Sequence, residues 1–218
     1  PSFAIKINNR KILSGIAEKS GAASFLVTIV TAIDKLDKIG SEGVLKELRE
    51  KNVPEKAIGL LEPLFSFKGS NDEKIVLMSD FLKDSDIGMT GIEELKTVIA
   101  QVTRLGLNRG RLEFDITLAR GLNYYTGAIF EVTADNVKMG SICGGGRYDD
   151  LTAQFGLKDV SGIGISFGAD RIYDVLNDLR LFPDSTESSI SYLILNFGGD
   201  DTLASLDLAS DIRSKGHD

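Results

Sequence analysis

Within the eight residues Arg120-Gly121-Leu122-Asn123-Tyr124-Tyr125-Thr126-Gly127 stand a permanent cation, two phenol rings and two glycines. A short way downstream, Gly144-Gly145-Gly146-Arg147-Tyr148-Asp149 repeats the combination. A guanidinium grips phosphate or carboxylate through parallel donors and stabilises negative charge that develops in a transition state. Tyrosine adds a ring face and a hydroxyl, and glycine lets backbone approach a ligand closely. The two segments together outline a small-molecule site with an anionic ligand. Taken singly, each residue has a plainer role. Arg120 could pair with Glu113 or Asp115, and adjacent tyrosines in an extended chain point opposite ways, which predicts one in the core and one in the site.

Three glycines at 144–146 supply no side-chain packing and cost chain entropy, so they call for a positive φ or a close approach; a hairpin turn is the simpler alternative. They are not a phosphate-binding P-loop, since the Lys-Ser/Thr ending is missing. Gly162-Ile163-Gly164-Ile165-Ser166-Phe167-Gly168-Ala169-Asp170-Arg171 reads as a strand running into a helix. It is not the dinucleotide fingerprint either. Arg171 in a first helical turn opposes the helix dipole. A bound nucleotide phosphate would explain that placement, with an ion pair to Asp174 as the alternative.

Composition removes several chemistries. One cysteine, Cys143, permits no internal disulfide, and one histidine, His217, lies two residues from the end. Histidine metal sites and Ser/His or Cys/His nucleophile pairs are therefore nearly excluded, and Cys143 reads as a small buried residue. Any chemistry must rest on arginines, carboxylates, tyrosines and backbone groups. The net charge of −7 argues against nucleic-acid binding through the whole surface. No apolar run is long enough for a membrane span and no signal peptide is apparent, which predicts a cytoplasmic protein.

The elements that must position these residues alternate in type. Phe3, Ile5 and Ile7 have the period of a half-buried strand, followed by the polar Asn8-Asn9-Arg10 turn. From Gly21 the period becomes helical, through Ala22 to Leu36, with a second helix after Ser41 and a third after Pro54. Asn71 is expected to cap a fourth. Thr90-Gly91-Ile92-Glu93 reads as the capping box of a fifth that ends at Gly106. After Arg109 the period returns to two: Leu112, Phe114, Ile116 and Leu118 alternate with polar residues. Further strands are predicted at 129–133, 137–142 and 162–167, with short connections that suit antiparallel pairing. A helix follows over 168–181, then a linker, a strand over 190–196 and a helix over 203–214. The fold class is α+β.

Those motifs resemble the histidyl-tRNA synthetases, a class II aminoacyl-tRNA synthetase family. Leu118 to Gly127 is similar to the first histidine-specific motif and Gly145-Gly146-Arg147-Tyr148-Asp149 to the second. Gly162 to Arg171 resembles class II motif 3, and Phe3 to Arg10 the strand and turn after motif 2. The resemblance covers essentially the whole chain. It implies a class II antiparallel sheet in two parts, 1–15 and 110–184, a helical insertion domain over 16–109, and the start of an α/β anticodon-binding domain over 189–218. It implies ATP-dependent activation of histidine and its ligation to histidine tRNA, with ATP entering as its magnesium complex and no prosthetic group.

By the same resemblance Arg120 contacts the α-phosphate and the carboxylate and is the catalytic residue. Arg171, Gly164 and Gly168 bind ATP, while Tyr124, Tyr125, Gly145, Gly146 and Tyr148 join Arg120 around histidine. A homodimer is implied for the full-length protein. Two departures stand out. Asn123 replaces an aspartate often found in the first motif. Counterparts of motifs 1 and 2 are missing, which predicts a fragment that forms adenylate poorly alone. The competing expectation is a non-catalytic regulatory paralog that binds histidine or a partner subunit.

Overall fold

The computed structural model describes residues 2–119, 124–183 and 192–216. The chain divides into two compact units, Pro1–Leu179 and Arg180–Asp218.

In the first unit, strand β1 (Phe3–Asn9) leads at once into helix α1 (Arg10–Lys19). Asn9 makes that switch, because its side-chain oxygen accepts the Lys11 amide at 2.9 Å and so caps the first turn. The sequence reading had placed a turn here. A short 3-10 turn and helices α2 (Leu26–Ile33), α3 (Leu36–Glu50), α4 (Glu55–Ser66), α5 (Asn71–Leu82) and α6 (Asp86–Leu105) follow. Helix α3 breaks at Gly40, whose φ of 68° only glycine adopts without strain. Gly106, at φ 79°, stops α6 as expected.

Two caps move relative to the sequence reading. Ser70 caps α5 in a reciprocal capping box with Glu73. Asn71 instead turns to β2 (Gly110–Phe114), donating to the Leu112 carbonyl at 2.9 Å and accepting the Phe114 amide at 2.7 Å. It thereby occupies backbone groups on the outer edge of the sheet. Helix α6 begins at Asp86, capped by Ser85 through the Gly88 amide. Thr90 is then interior, and its hydroxyl bonds back to the Asp86 carbonyl. Helices α1 and α6 cross where Gly15 meets Gly88: a Cβ on Gly15 would lie 2.6 Å from the Gly88 Cα.

The strands β3 (Ala128–Ala134), β4 (Cys143–Tyr148) and β5 (Gly162–Phe167) complete a five-stranded sheet in the order β2-β1-β3-β4-β5. Every pairing but the parallel β1·β2 ladder is antiparallel. Two strand assignments change. β2 ends at Phe114: the Asp115 amide still bonds to the Ile7 carbonyl, but the Leu118 amide then turns back to the Asp115 carbonyl and residues 115–118 close a turn. The stretch 137–142 is irregular, and the glycine run after it is the strand. Its Ile142 still docks at both ends, with its amide on the Val132 carbonyl and its carbonyl on the Gly168 amide.

One apolar core unites Ile7, Phe114 and Ile129 of the sheet with α1 to α6; Ile12, Leu61, Met78, Leu82, Ile92 and Leu95 are fully buried. Helix α7 (Ala169–Asp178) closes the unit. The second unit carries α8 (Asp201–Ser214). Residues 192–196, expected as a strand, have no ladder among the described residues, while 190 and 191 lie outside them.

Candidate active site

The ladder register decides which side chains share a face, since directly paired residues project the same way. Lys6 pairs with Glu131, Glu131 with Gly144, and Gly144 with Ser166. Gly146 pairs with Gly164 and Tyr148 with Gly162 on that same face. Over β4 and β5 this face is therefore floored almost entirely by glycine. Cys143, Gly145 and Arg147 project to the other face with Ile163, Ile165 and Phe167, which are exposed at the end of the sheet.

Two tyrosine rings occupy the glycine floor. A Cβ on Gly146 would stand 2.9 Å from Tyr125 Cδ1, and a Cβ on Gly162 would run into the Tyr148 ring. Tyr148 also covers Gly164, with its Cε1 3.2 Å from the position of a Cβ there. Ring-on-backbone packing is thus the physical reason for Gly162 and Gly164, while at Gly146 a Cβ would also meet the Ala128 carbonyl oxygen at 2.8 Å. Gly145 has a different neighbour on the reverse face, where a Cβ would meet the Gly164 carbonyl oxygen and come within 2.7 Å of Phe130 Cζ.

Tyr124 joins the two rings. Its centroid is 4.5 Å from that of Tyr125 and 6.1 Å from that of Tyr148, the latter edge-on at 78°. The Tyr124 hydroxyl donates to the Tyr125 hydroxyl at 3.3 Å. Both tyrosines line the adjoining cavity, and Tyr125 in addition packs against the apolar core, as the expected division into one core and one site residue has it in part. Residues 124–127 are a turn rather than a strand, so strict alternation does not govern them.

That cavity measures about 430 Å³, within the range that holds small ligands. Gly144, Gly145, Ser166, Gly168, Asp170 and Arg171 are among its other lining residues; Tyr148, Gly146 and Gly164 do not border it directly. A second cavity of about 400 Å³ adjoins it, lined by Lys6, Asp115, Glu131 and again Arg171. Arg171 lies between the two. Its Nη1 donates to the Ser141 carbonyl at 2.6 Å, and among the described residues it makes no ion pair with Asp174. Ser141 is itself fixed, with its hydroxyl on the Cys143 carbonyl at 2.8 Å.

These motifs and this sheet meet a direct counterpart among known proteins: residues 1–172 match the family model described as histidyl-tRNA synthetase. The chain belongs to the histidyl-tRNA synthetase family. It is 57% identical over 200 residues to a histidine-tRNA ligase of Flavobacterium johnsoniae, an alignment covering 91% of this chain and 42% of that relative. A histidine-tRNA ligase of Bacteroides fragilis is 52% identical over 212 residues, covering 97% and 46%. A histidyl-tRNA synthetase from Nostoc superposes with a TM-score of 0.74 at 31% identity, covering all of this chain and 52% of that one. The chain spans less than half the length of the curated relatives it matches. Its mixed α+β architecture, with a largely antiparallel sheet, is that of the family.

Of the family's expected site residues, Arg120 lies outside the described residues, together with Gly121, Leu122 and Asn123. The approach to them is well ordered by bonds. Asn8, fully buried, donates to the Ile116 carbonyl at 3.1 Å and the Leu118 carbonyl at 2.9 Å. The sequence reading had treated Asn8 as a turn residue. No sequence signal marks its burial, because Asn8 follows Lys6 on the polar phase of the β1 alternation.

Asp115 anchors the same turn. It accepts the Thr117 amide at 2.9 Å, the Thr117 hydroxyl at 2.7 Å and the Lys6 ammonium at 3.0 Å. Burial pushes its carboxyl up, but Thr117 and Lys6 together outweigh burial and leave it below the ordinary 3.8. The folded state therefore binds this proton more weakly than the unfolded chain does, so stability rises with pH. Asp115 should contribute fully above about pH 5 and lose its contribution as pH falls through and below 4. Urea midpoints of wild type and Asp115→Asn should differ clearly at pH 7, and the difference should shrink progressively as pH falls below 3.8.

Among the described residues no group of three or more His, Cys, Asp or Glu gathers as a metal-ligand set, and no helix is long and apolar enough to cross a membrane.

Proposed function

We propose that this chain forms one wall of an active site that activates histidine with ATP and ligates it to histidine tRNA. The observation that carries the reading is the meeting of both histidine-specific motifs: Tyr124, Tyr125 and Tyr148 cluster on one glycine floor beside a cavity bordered by Arg171. In the first step the histidine carboxylate attacks the α-phosphorus of magnesium-bound ATP and pyrophosphate leaves, giving the acyl adenylate. In the second, a ribose hydroxyl of the tRNA terminus attacks the acyl carbon and AMP leaves.

Arg120 is assigned to the α-phosphate and the substrate carboxylate, where its forked donors meet charge that builds in the pentacovalent transition state. Arg171 takes the γ-phosphate end of ATP, and Gly164 and Gly168 keep backbone close to the nucleotide. Tyr124, Tyr125 and Tyr148 with Gly145 and Gly146 shape the histidine pocket. Residues 16–109 act as the insertion that approaches the tRNA acceptor end, 110–184 as catalytic domain with 1–15, and 189–218 as the beginning of an anticodon-binding domain. The full-length protein works as a cytoplasmic homodimer. Relatives at 50% identity and above carry the ligase name, which does not favour the regulatory paralog.

The test is histidine-dependent ATP–pyrophosphate exchange by the full-length protein. Exchange that requires histidine is expected; folded protein without it would end this reading.

A further inference from the structure

The two tyrosine-bearing segments are tied together one residue beyond each ring. Thr126, which follows Tyr125, donates its hydroxyl to Asp149 Oδ2 at 2.6 Å, and Asp149 follows Tyr148. A backbone bond runs alongside, from the Thr126 amide to the Arg147 carbonyl at 2.9 Å. Arg147 then closes the ring: its Nε donates to Asp149 Oδ1 at 3.0 Å and its Nη2 to the Ser161 hydroxyl at 3.1 Å, just before the Gly162 on which Tyr148 rests. The Gly127 backbone sits against the Arg147 side chain, where a Cβ would be 2.9 Å from Cδ.

We infer that Thr126 and Asp149 are positioning residues that hold Tyr125 and Tyr148 at a set separation and so govern selection of the amino-acid substrate. This rests on the histidine-activating reading above. A hydroxyl–carboxylate bond is directional and stronger than a neutral one, so it fixes where two short segments stand relative to each other. Tyr124 stands between the two rings and contacts both. Their spacing is held from two sides, by the Tyr124 ring between them and by the backbone on either side of the Thr126–Asp149 bond. Neither residue borders the cavity, so their effect is exerted through the tyrosines.

The clamp resists acid. The Thr126 bond first, then Ser161 and Arg147, hold the Asp149 carboxyl below its ordinary range.

The test uses the full-length protein and compares Thr126→Val, which keeps the branched shape without the hydroxyl, with Thr126→Ser, which restores it. In pyrophosphate exchange Thr126→Val should raise KM for histidine about tenfold, the equivalent of one lost hydrogen bond of about 1.4 kcal/mol, and move KM for ATP by less than about twofold. Thr126→Ser should stay close to wild type. Unchanged KM for histidine in Thr126→Val, or equal rises in both KM values with a lowered thermal midpoint, would overturn the inference while leaving the activity standing. Wild-type protein without histidine-dependent exchange would remove the activity and this inference with it. Should Thr126→Val not fold, Asp149→Asn, which keeps shape and loses the charge, is measured by the same criteria.

Discussion

On the proposed function, replacing Arg171 by alanine in the full-length protein is expected to lower histidine-dependent ATP–pyrophosphate exchange by about a hundredfold, with a large share of the loss in KM for ATP. The residue is in the first turn of α7, where the exposed amides already favour an anion and a cation is disfavoured. Its intramolecular compensation is small. The guanidinium donates to the Ser141 carbonyl, a neutral acceptor, and takes no carboxylate among the described residues. It also borders both cavities on the polar face of the sheet. A cation held at a helix start and shared by two cavities is suited to a phosphate chain lying across them. Arg171→Lys should recover only part of the rate, since an ammonium cannot keep the Ser141 bond and a forked contact to phosphate together. An unchanged exchange rate in the alanine variant would remove Arg171 from the site.

Gly145→Ala is expected to destabilise the protein by about 3 kcal/mol, at the upper end for an overpacked core position. A methyl group here would run into the Gly164 carbonyl oxygen, 2.7 Å from Phe130 Cζ and 3.0 Å from Ile165 Cα. Two of these three neighbours are backbone atoms of β5, so relief requires opening the β4·β5 ladder. Gly59→Ala is the internal control. Gly59 is exposed on α4 and a Cβ there meets nothing within 4 Å, so the change should stabilise by up to about 1 kcal/mol through helix propensity. Urea denaturation of both variants measures the contrast. A Gly145→Ala midpoint equal to wild type would show that the strand pair adjusts freely.

Helices α4, α5 and α6 were legible because each buries a stripe of Leu, Ile, Val or Met at a period of 3.6 over twelve residues or more. Their starts were less so. Ser70-Asn71 and the run from Ser85 to Thr90 offer several capping residues each, and the choice between them is made by tertiary bonds such as that of Asn71 to β2. Strand β4 escaped because Cys-Gly-Gly-Gly has no side-chain alternation to read. Its identity comes from the partners on both sides, which sequence order does not reveal. The end of β2 was overrun for the opposite reason: Ile116 and Leu118 continue the period of Leu112 and Phe114, though they belong to a turn tied down by Asn8.

The site was legible as composition and motif: cations, tyrosines and glycines were read as one pocket, and Tyr124, Tyr125, Gly145, Gly168 and Arg171 do border one cavity. What the residues do for one another was not. Gly162 and Gly164 are covered by a tyrosine ring and Gly146 by another together with the Ala128 carbonyl, and the Thr126–Asp149 tie spans two segments whose proximity arises only when β3 turns back along β4.

The glycine floor has a further consequence, in entropy. Gly144, Gly146, Gly162 and Gly164 have no side-chain torsions to freeze, and their backbone freedom is given up when the sheet forms rather than when a ligand arrives. Ordering a rotamer-rich side chain on binding costs about 0.5–1.5 kcal/mol, and on this floor that cost is nil. Whatever loss of freedom accompanies binding beside β4 and β5 therefore falls on the side chains that line the cavity, Tyr124, Tyr125, Ser166 and Arg171 among them. The clustered tyrosines have already surrendered much of theirs to one another.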